Sequence, residues 1–413
     1  MPANGIETLA LLKELRELTA DVDGAQRLAW TDPWLRARSW FESKLEGWPV
    51  EHHYDAAGNH WITLEGRSKK SLLLGGHLDS VPNGGWLDGA LGLLGGFAVL
   101  GRFIEKNEGP PPVTIRLVDW ADEEGARFGR SLFGSSAFAG TASIAADRSR
   151  TDSNGVRLED ALKRCGVDID SIGEATRERQ QAAAYLELHI EQGPVLERLG
   201  LPLAAVLGTK GVERHAITFR GQEAHSGSTP MGARKDALAP AAKLALEIRS
   251  IAGKHPDAVC TIGSVKTFPG IVTAVVGRCE ATLDQRDLDA KVLGSMLKEA
   301  REASERFAAE ENCTVEWSRI WNIEPIPFHR ELIELCEQSI KEVAGSSHRM
   351  PSGPLHDAAE VAQAGIPTVM LFVQSLRGIS HNKIEDTKEE HIALAIQTLD
   401  RLAAKTITWI ERQ

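Results

Sequence analysis

Two β-like apolar runs that bracket a helical stretch constrain this chain more than any other feature. Residues 71–76 (SLLLGG) read as a strand, 90–106 as a helix and 113–120 (VTIRLVDW) as the next strand. That succession is the pattern of a mostly parallel sheet covered by helices, and such sheets carry their chemistry where strands end in loops.

The chain has 413 residues, more than one hydrophobic core usually serves, so two domains are expected. A different texture begins near Gly208. Residues 213–220 (ERHAITFR) alternate like a strand, a helix follows over 235–250, and strands surround 281–286. Residues 290–310 form an amphipathic helix with Val292, Leu293, Leu297, Ala300 and Phe307 on one stripe. Strand, helix, strand, strand, helix, strand is a ferredoxin-like order. After Trp321 the α/β pattern returns, with helices over 331–344 and 391–413 and a buried strand over 368–373 (TVMLFV). The expected class is therefore α/β, a mostly parallel sheet flanked by helices, with an inserted ferredoxin-like α+β domain. Residues 1–207 and 322–413 make the discontinuous catalytic domain, and 208–321 make the insert, whose place in the chain suggests a lid.

Several classes are excluded by composition. A formal net charge of -11 argues against nucleic acid or anionic membranes, which demand clustered Lys and Arg. No segment approaches the ~20 uninterrupted apolar residues that span a bilayer. The N-terminal residues 1–21 read as a polar amphipathic helix rather than a secretory signal. The five cysteines are odd in number and lack a CxxC pair, so a reducing cytoplasm is the expected compartment and a small molecule the expected partner.

Four strand ends carry the chemistry. The loop 75–89 (GGHLDSVPNGGWLDG) presents His77, Asp79 and Asp88 between a strand and a helix, and imidazole with carboxylate is what a borderline divalent metal prefers. The strand 113–120 delivers Asp122, Glu123 and Glu124. If the backbone there stays extended, Glu123 and Glu124 point opposite ways, so that one binds metal while the other handles protons. His189 in LELHIEQGP and His381 in RGISHNKIED each follow a strand. A single histidine or acid in such a place is most often structural, but four such sites in one sheet are not explained that way.

These segments, with ADEEGARFG, GQEAHSGSTPMGARKDA, TLDQRD and PSG followed by HDA, resemble the dinuclear metallohydrolase family of N-carbamoyl-L-amino-acid hydrolases, β-ureidopropionases and allantoate amidohydrolases, related to aminoacylases and zinc carboxypeptidases. The resemblance implies two divalent ions (Zn, Mn, Co or Ni), His77 and His189 holding one, Glu124 and His381 the other, and Asp88 bridging. It further implies Asp79 behind the ligands, orienting His77, and Glu123 as the acid-base residue. His225 is implied as the oxyanion donor, reaching the site in its own or a partner subunit, which makes a homodimer through the insert an expectation. Gln192, Arg286, Thr273 and His356 are the implied substrate-binding positions, Arg286 for a carboxylate.

The expected reaction is hydrolysis of a linear amide or ureide, most naturally an N-carbamoyl or N-acyl amino acid. An aminoacylase or dipeptidase is the nearest alternative, against which His189 speaks, since related peptidases would place a carboxylate there. A catalytically silent binding protein is the alternative of another class, and it need not keep Glu123. Thr273, Val276 and Pro354-Leu355 depart from the family pattern, all on the substrate side. They point to a substrate with a larger or more apolar group.

Overall fold

The computed structural model describes residues 5–105 and 109–413. Its two compact units are residues up to Leu207 together with Phe328–Gln413, and Gly208–Pro327. The second unit thus runs six residues past the expected boundary at Trp321. The reason is local: the strand Thr314–Ile323 continues through Trp321, and a short strand Ile326–Pro327 follows it.

The first unit is built on one mixed sheet. Its strands lie in the order Leu203–Thr209, Thr368–Val373, Ala182–Ile190, Ser68–His77, Val113–Trp120, His60–Leu64 and Glu51–Tyr54. The four from Thr368–Val373 to Val113–Trp120 are mutually parallel, and their outer neighbours pair antiparallel. Val113–Trp120 and Thr368–Val373 are buried at every residue, which explains why their sequences do not alternate: helices cover both faces. The closing helix Glu389–Glu411 buries Ile392, Ala395, Ile396, Leu399, Leu402, Ala403 and Ile410, one apolar stripe at helical spacing.

Parallel register brings the carboxyl ends of these strands to one rim. His77 lies opposite Trp120, Gly75 opposite Glu187, and His189 opposite Phe372. The helix Ala90–Glu105 packs directly on this sheet because glycines remove the side chains between them. A Cβ on Gly76 would sit 2.4 Å from the Leu93 nitrogen and 2.6 Å from the Gly89 carbonyl oxygen, and one on Gly92 would sit 2.5 Å from the Leu188 carbonyl oxygen. That close approach sets Asp88, just ahead of the helix, beside the strand that ends in His77. The expected end of this helix at Lys106, like Met1 at the start of the first helix, lies outside the described residues; the described helices span Ala90–Glu105 and Gly5–Thr19.

The second unit is a four-stranded antiparallel sheet in which the second strand, Val259–Phe268, pairs the third, Arg278–Asp287, then come the first, Gly211–Arg220, and the fourth, Thr314–Ile323. This is the ferredoxin-like order. Strand Arg278–Asp287 alternates in burial along its length, turning Cys279, Ala281 and Leu283 onto the helices Leu238–Ala252 and Ala290–Glu310. Arg286 and Asp284 belong to the opposite face. The most buried stripe of the second helix is Leu293, Met296, Ala300 and Ala303, with Val292, Leu297 and Phe307 at its margin.

Gly76→Ala forces backbone apart, not a flexible side chain, so it is expected to destabilise by about 3 kcal/mol. Gly173→Ala, with nothing near its Cβ among the described residues, is the control. Urea unfolding curves that superimpose for the two variants would contradict the close-packing account.

Candidate metal centre

Asp88 holds the middle of the rim. Its Oδ1 lies 3.1 Å from His189 Nε2 and 3.8 Å from His77 Nε2. Its Oδ2 lies 3.5 Å from His381 Nε2, and Glu124 Oε2 is 3.2 Å from the same nitrogen. The residues therefore fall into two sets, His77, Asp88 and His189, and Asp88, Glu124 and His381, each with one ligand atom per residue within 4.8 Å of the others. Two ligands at about 2.1 Å from one tetrahedral ion are about 3.4 Å apart, close to the separations seen here.

The orientation of the rings agrees with this donor set. His77 Nδ1 donates to the Asp79 carbonyl at 3.1 Å, and His189 Nδ1 donates to the Ile190 carbonyl at 2.8 Å. A carbonyl only accepts, so each ring carries a proton on Nδ1 and turns Nε2 inward, the nitrogen a metal takes. His77 Nε2 and Glu124 Oε1 are buried and have no hydrogen-bond partner among the described residues. Buried polar atoms are rarely left so, and a cation in each set would satisfy the atom that belongs to it. The residues present fit a pair of divalent ions.

Burial governs the charges. It raises Glu123 well above the usual carboxylate range, with Asp357, Glu124, Asp88 and Asp79 adding repulsion. Burial also pushes Asp88 upward, but His189, by charge and hydrogen bond, with His77 and His381, reverses this and holds it below its ordinary value. His189 is lowered by burial yet lifted to about 9 by Asp88 and Glu187. His381 reaches about 9 chiefly through its hydrogen bond to Glu124.

Glu123 and Glu124 reach the same cavity because the chain does not stay extended after Trp120. Asp122 and Gly125 both take left-handed backbone, at φ 56° and 61°, and Asp122 is pinned there by Trp30 Nε1 at 2.7 Å. Glu123 Oε2 then lies 3.7 Å from His77 Nε2, while Glu124 faces His381. Asp79 lies behind His77 and meets it through its backbone. Its carboxylate is 3.7 Å from His77 Nδ1, and it is the Asp79 carbonyl that holds the ring. The carboxylate instead accepts the backbone N–H groups of Glu123 and Glu124 at 3.2 and 3.1 Å, fixing the turn that presents both acids.

Of the substrate-side positions, Gln192 and His356 join this cavity of about 180 Å³, whose lining includes Leu132, Pro354 and Leu355. Gln192, at φ 56°, donates from Nε2 to Asp88 Oδ2 at 2.8 Å and leaves Oε1 buried without a partner among the described residues. His356 is buried, 2.8 Å from Ser352 Oγ, with its ring 4.3 Å from that of His189. His225, Thr273 and Arg286 belong to the second unit. There His225 is exposed and pairs with Ala274, so that it neighbours Thr273, whose carbonyl accepts the Ser226 N–H at 2.9 Å. Arg286 Nε donates to Asp284 at 2.8 Å.

Several participants escape a reading of the sequence. Glu385 Oε1 accepts the N–H groups of Leu87 and Asp88 at 3.0 and 3.1 Å, and its place four residues after His381 was the available signal. Asp357, beside His356, is buried, and burial first, with Glu187 adding repulsion, raises it well above the usual carboxylate range. Glu187 accepts from Tyr185 Oη and Ala358 N–H. Arg27, fully buried with Nε on the Leu78 carbonyl at 2.7 Å, carries no local signal at all.

The sequence profile described as peptidase family M20/M25/M40 matches residues 73–405. The chain is 35% identical over 381 residues to an N-carbamoyl-L-amino acid amidohydrolase of Geobacillus stearothermophilus, covering 91% of this chain and 92% of that protein. It is 32% identical to an allantoate amidohydrolase of Escherichia coli strain K12, covering 91% of each. Among solved structures, an amidase of the hydantoinase/carbamoylase family from Burkholderia multivorans superposes with a TM-score of 0.89 at 31% identity over 98% of both chains.

Asp79→Ala strips one buried and one part-buried N–H group of their acceptor, at about 1–3 kcal/mol for the buried one and less for the other. The expected result is a loss of about 2–4 kcal/mol in denaturant unfolding. A variant as stable as the wild type would show that the 121–125 turn holds itself.

Proposed function

The chain belongs to peptidase family M20/M25/M40, and on that premise we propose that it hydrolyses the non-peptide C–N bond of a linear N-carbamoyl or N-acyl amino acid. The observation that carries the reading is Asp88, with one oxygen toward His77 and His189 and the other toward His381. His189 supports an amide or ureide over a peptide, because imidazole replaces the carboxylate that related peptidases would place there.

In this reading His77, Asp88 and His189 hold one divalent ion, and Asp88, Glu124 and His381 the other, with Zn, Mn, Co and Ni all suited to mixed nitrogen and oxygen donors. Bound there, the cations supply Lewis acidity, polarising the scissile carbonyl and making water a stronger acid. Glu123 takes a proton from the attacking water as its oxygen bonds to the carbonyl carbon. It then delivers that proton to the nitrogen as the C–N bond breaks, so the amine leaves neutral. Asp79 keeps Glu123 in place through the backbone.

The remaining roles concern the substrate. Gln192 Oε1, buried and free of partners among the described residues, accepts a ureide or amide N–H. His356, Pro354, Leu355 and Leu132 shape the wall, and the two leucines favour an apolar group larger than the family's usual one. Arg286 exchanges Asp284 for the substrate carboxylate, a match for its planar fork. Thr273 and His225 act from the inserted unit, His225 as a donor to the developing oxyanion. A homodimer formed through that unit would let a partner supply the same residue.

A panel of N-carbamoyl-L-amino acids, N-carbamoyl-β-alanine, allantoate, N-acyl amino acids and dipeptides, assayed with Mn, Co, Ni or Zn, tests the reading. Turnover of carbamoyl or acyl substrates with bulky apolar side chains, abolished by a chelator, is expected; turnover confined to dipeptides would contradict it. Glu123→Gln should lower kcat by about 10²–10⁴-fold with little change in KM. A loss under ten-fold would remove Glu123 from the proton path.

A further inference from the structure

We infer that Glu42, His52 and His60 form a separate site for a single transition-metal ion of the zinc type, outside the centre built on Asp88. One ligand atom from each lies within 4.8 Å of the others. The three come from different elements: Glu42 from the last turn of the helix Asp32–Ser43, His52 from the outermost strand Glu51–Tyr54, and His60 from its neighbour His60–Leu64. In that antiparallel pair Tyr54 lies opposite His60 and His52 opposite Ile62, so both imidazoles stand on one face of the hairpin.

The spacing is already that of a chelate. His52 Nδ1 and His60 Nε2 are 3.1 Å apart, with rings inclined at 73°, and two imidazole nitrogens on one tetrahedral zinc lie about 3.3 Å apart. A plain hydrogen bond between two neutral rings is the competing account. It does not account for Glu42, a carboxylate oxygen of which lies within 4.8 Å of a nitrogen of each ring. His60 is fully buried, stacked under Tyr54 with centroids 4.5 Å apart, and its Nδ1 has no partner among the described residues.

Burial, with Arg38 adding to it, depresses His60 to about 3, so the ring is neutral and keeps a lone pair, the form a metal takes. Arg38 does not confront the ion as an uncompensated charge, since Asp119 holds it at 2.7 Å. His52 is exposed and Glu42 is half-buried, which gives an ion its way in and leaves a coordination position to water. Bound zinc would tie the exposed outer strand to the helix and favour the folded state by mass action.

The test counts metal in the intact protein. Wild type, His52→Ala, Glu42→Gln and His53→Ala are equilibrated with micromolar zinc and analysed by plasma mass spectrometry. His53 is the control, because it alternates to the other face of the strand and bonds Glu178 at 2.9 Å. The wild type and His53→Ala should each hold about one equivalent per chain more than His52→Ala, a difference independent of what the Asp88 centre retains. Glu42→Gln should bind that equivalent at least about ten-fold more weakly. Added zinc should raise the thermal midpoint of the wild type but not of His52→Ala, with basal turnover the same in both. Equal zinc in wild type and His52→Ala, or an equal loss in His53→Ala, would overturn the site.

Discussion

A single carboxylate shared between two donor sets is the constraint on which the rest depends. Asp88 meets His77 and His189 through one oxygen and His381 through the other. Much of the surrounding fold serves to keep it there. Glu385 receives its backbone N–H, and Gly89, at φ 66°, turns the chain where a side chain would strike the His77 ring. The glycine-lined contact between Ala90–Glu105 and the sheet sets the distance. Moving any of these parts by an ångström would separate the two oxygens from their partners.

The electrostatics follow from how much charge is gathered out of water. Glu123, Glu124, Asp79, Asp122, Asp357 and Glu187 are all raised by burial first. Such a concentration of acids in a low-dielectric interior is costly unless cations balance it. Arg27 and the three imidazoles offset part of the charge. A pair of divalent ions would offset most of the remainder, and would invert the local preference for the protonated forms.

What could be read from the sequence, and what could not, separates along physical lines. Val113–Trp120 and Thr368–Val373 were legible because a short, β-branched apolar run is too brief for a helix and suits a strand buried on both faces. The ferredoxin-like order of the second unit was legible because its strands alternate and its helices do not. The family was legible because several short motifs recur together. The turn at Asp122 was not, since left-handed backbone in a non-glycine residue leaves no periodic trace. Nor was the work of the Asp79 carboxylate, which accepts two backbone N–H groups more than forty residues away. Arg27 and Glu385 act across large separations in sequence, where no local pattern reports them. The second unit's extension to Pro327 reflects a strand that outlasts its alternating signal at Trp321.

Electron paramagnetic resonance of the manganese-loaded protein addresses the shared carboxylate most directly. Two ions bridged by one residue lie about 3.5–4 Å apart, so the wild type should show the spectrum of an exchange-coupled pair, and Asp88→Ala should lose it. A wild-type spectrum made only of isolated ions, with no coupled component at any loading, would contradict the account.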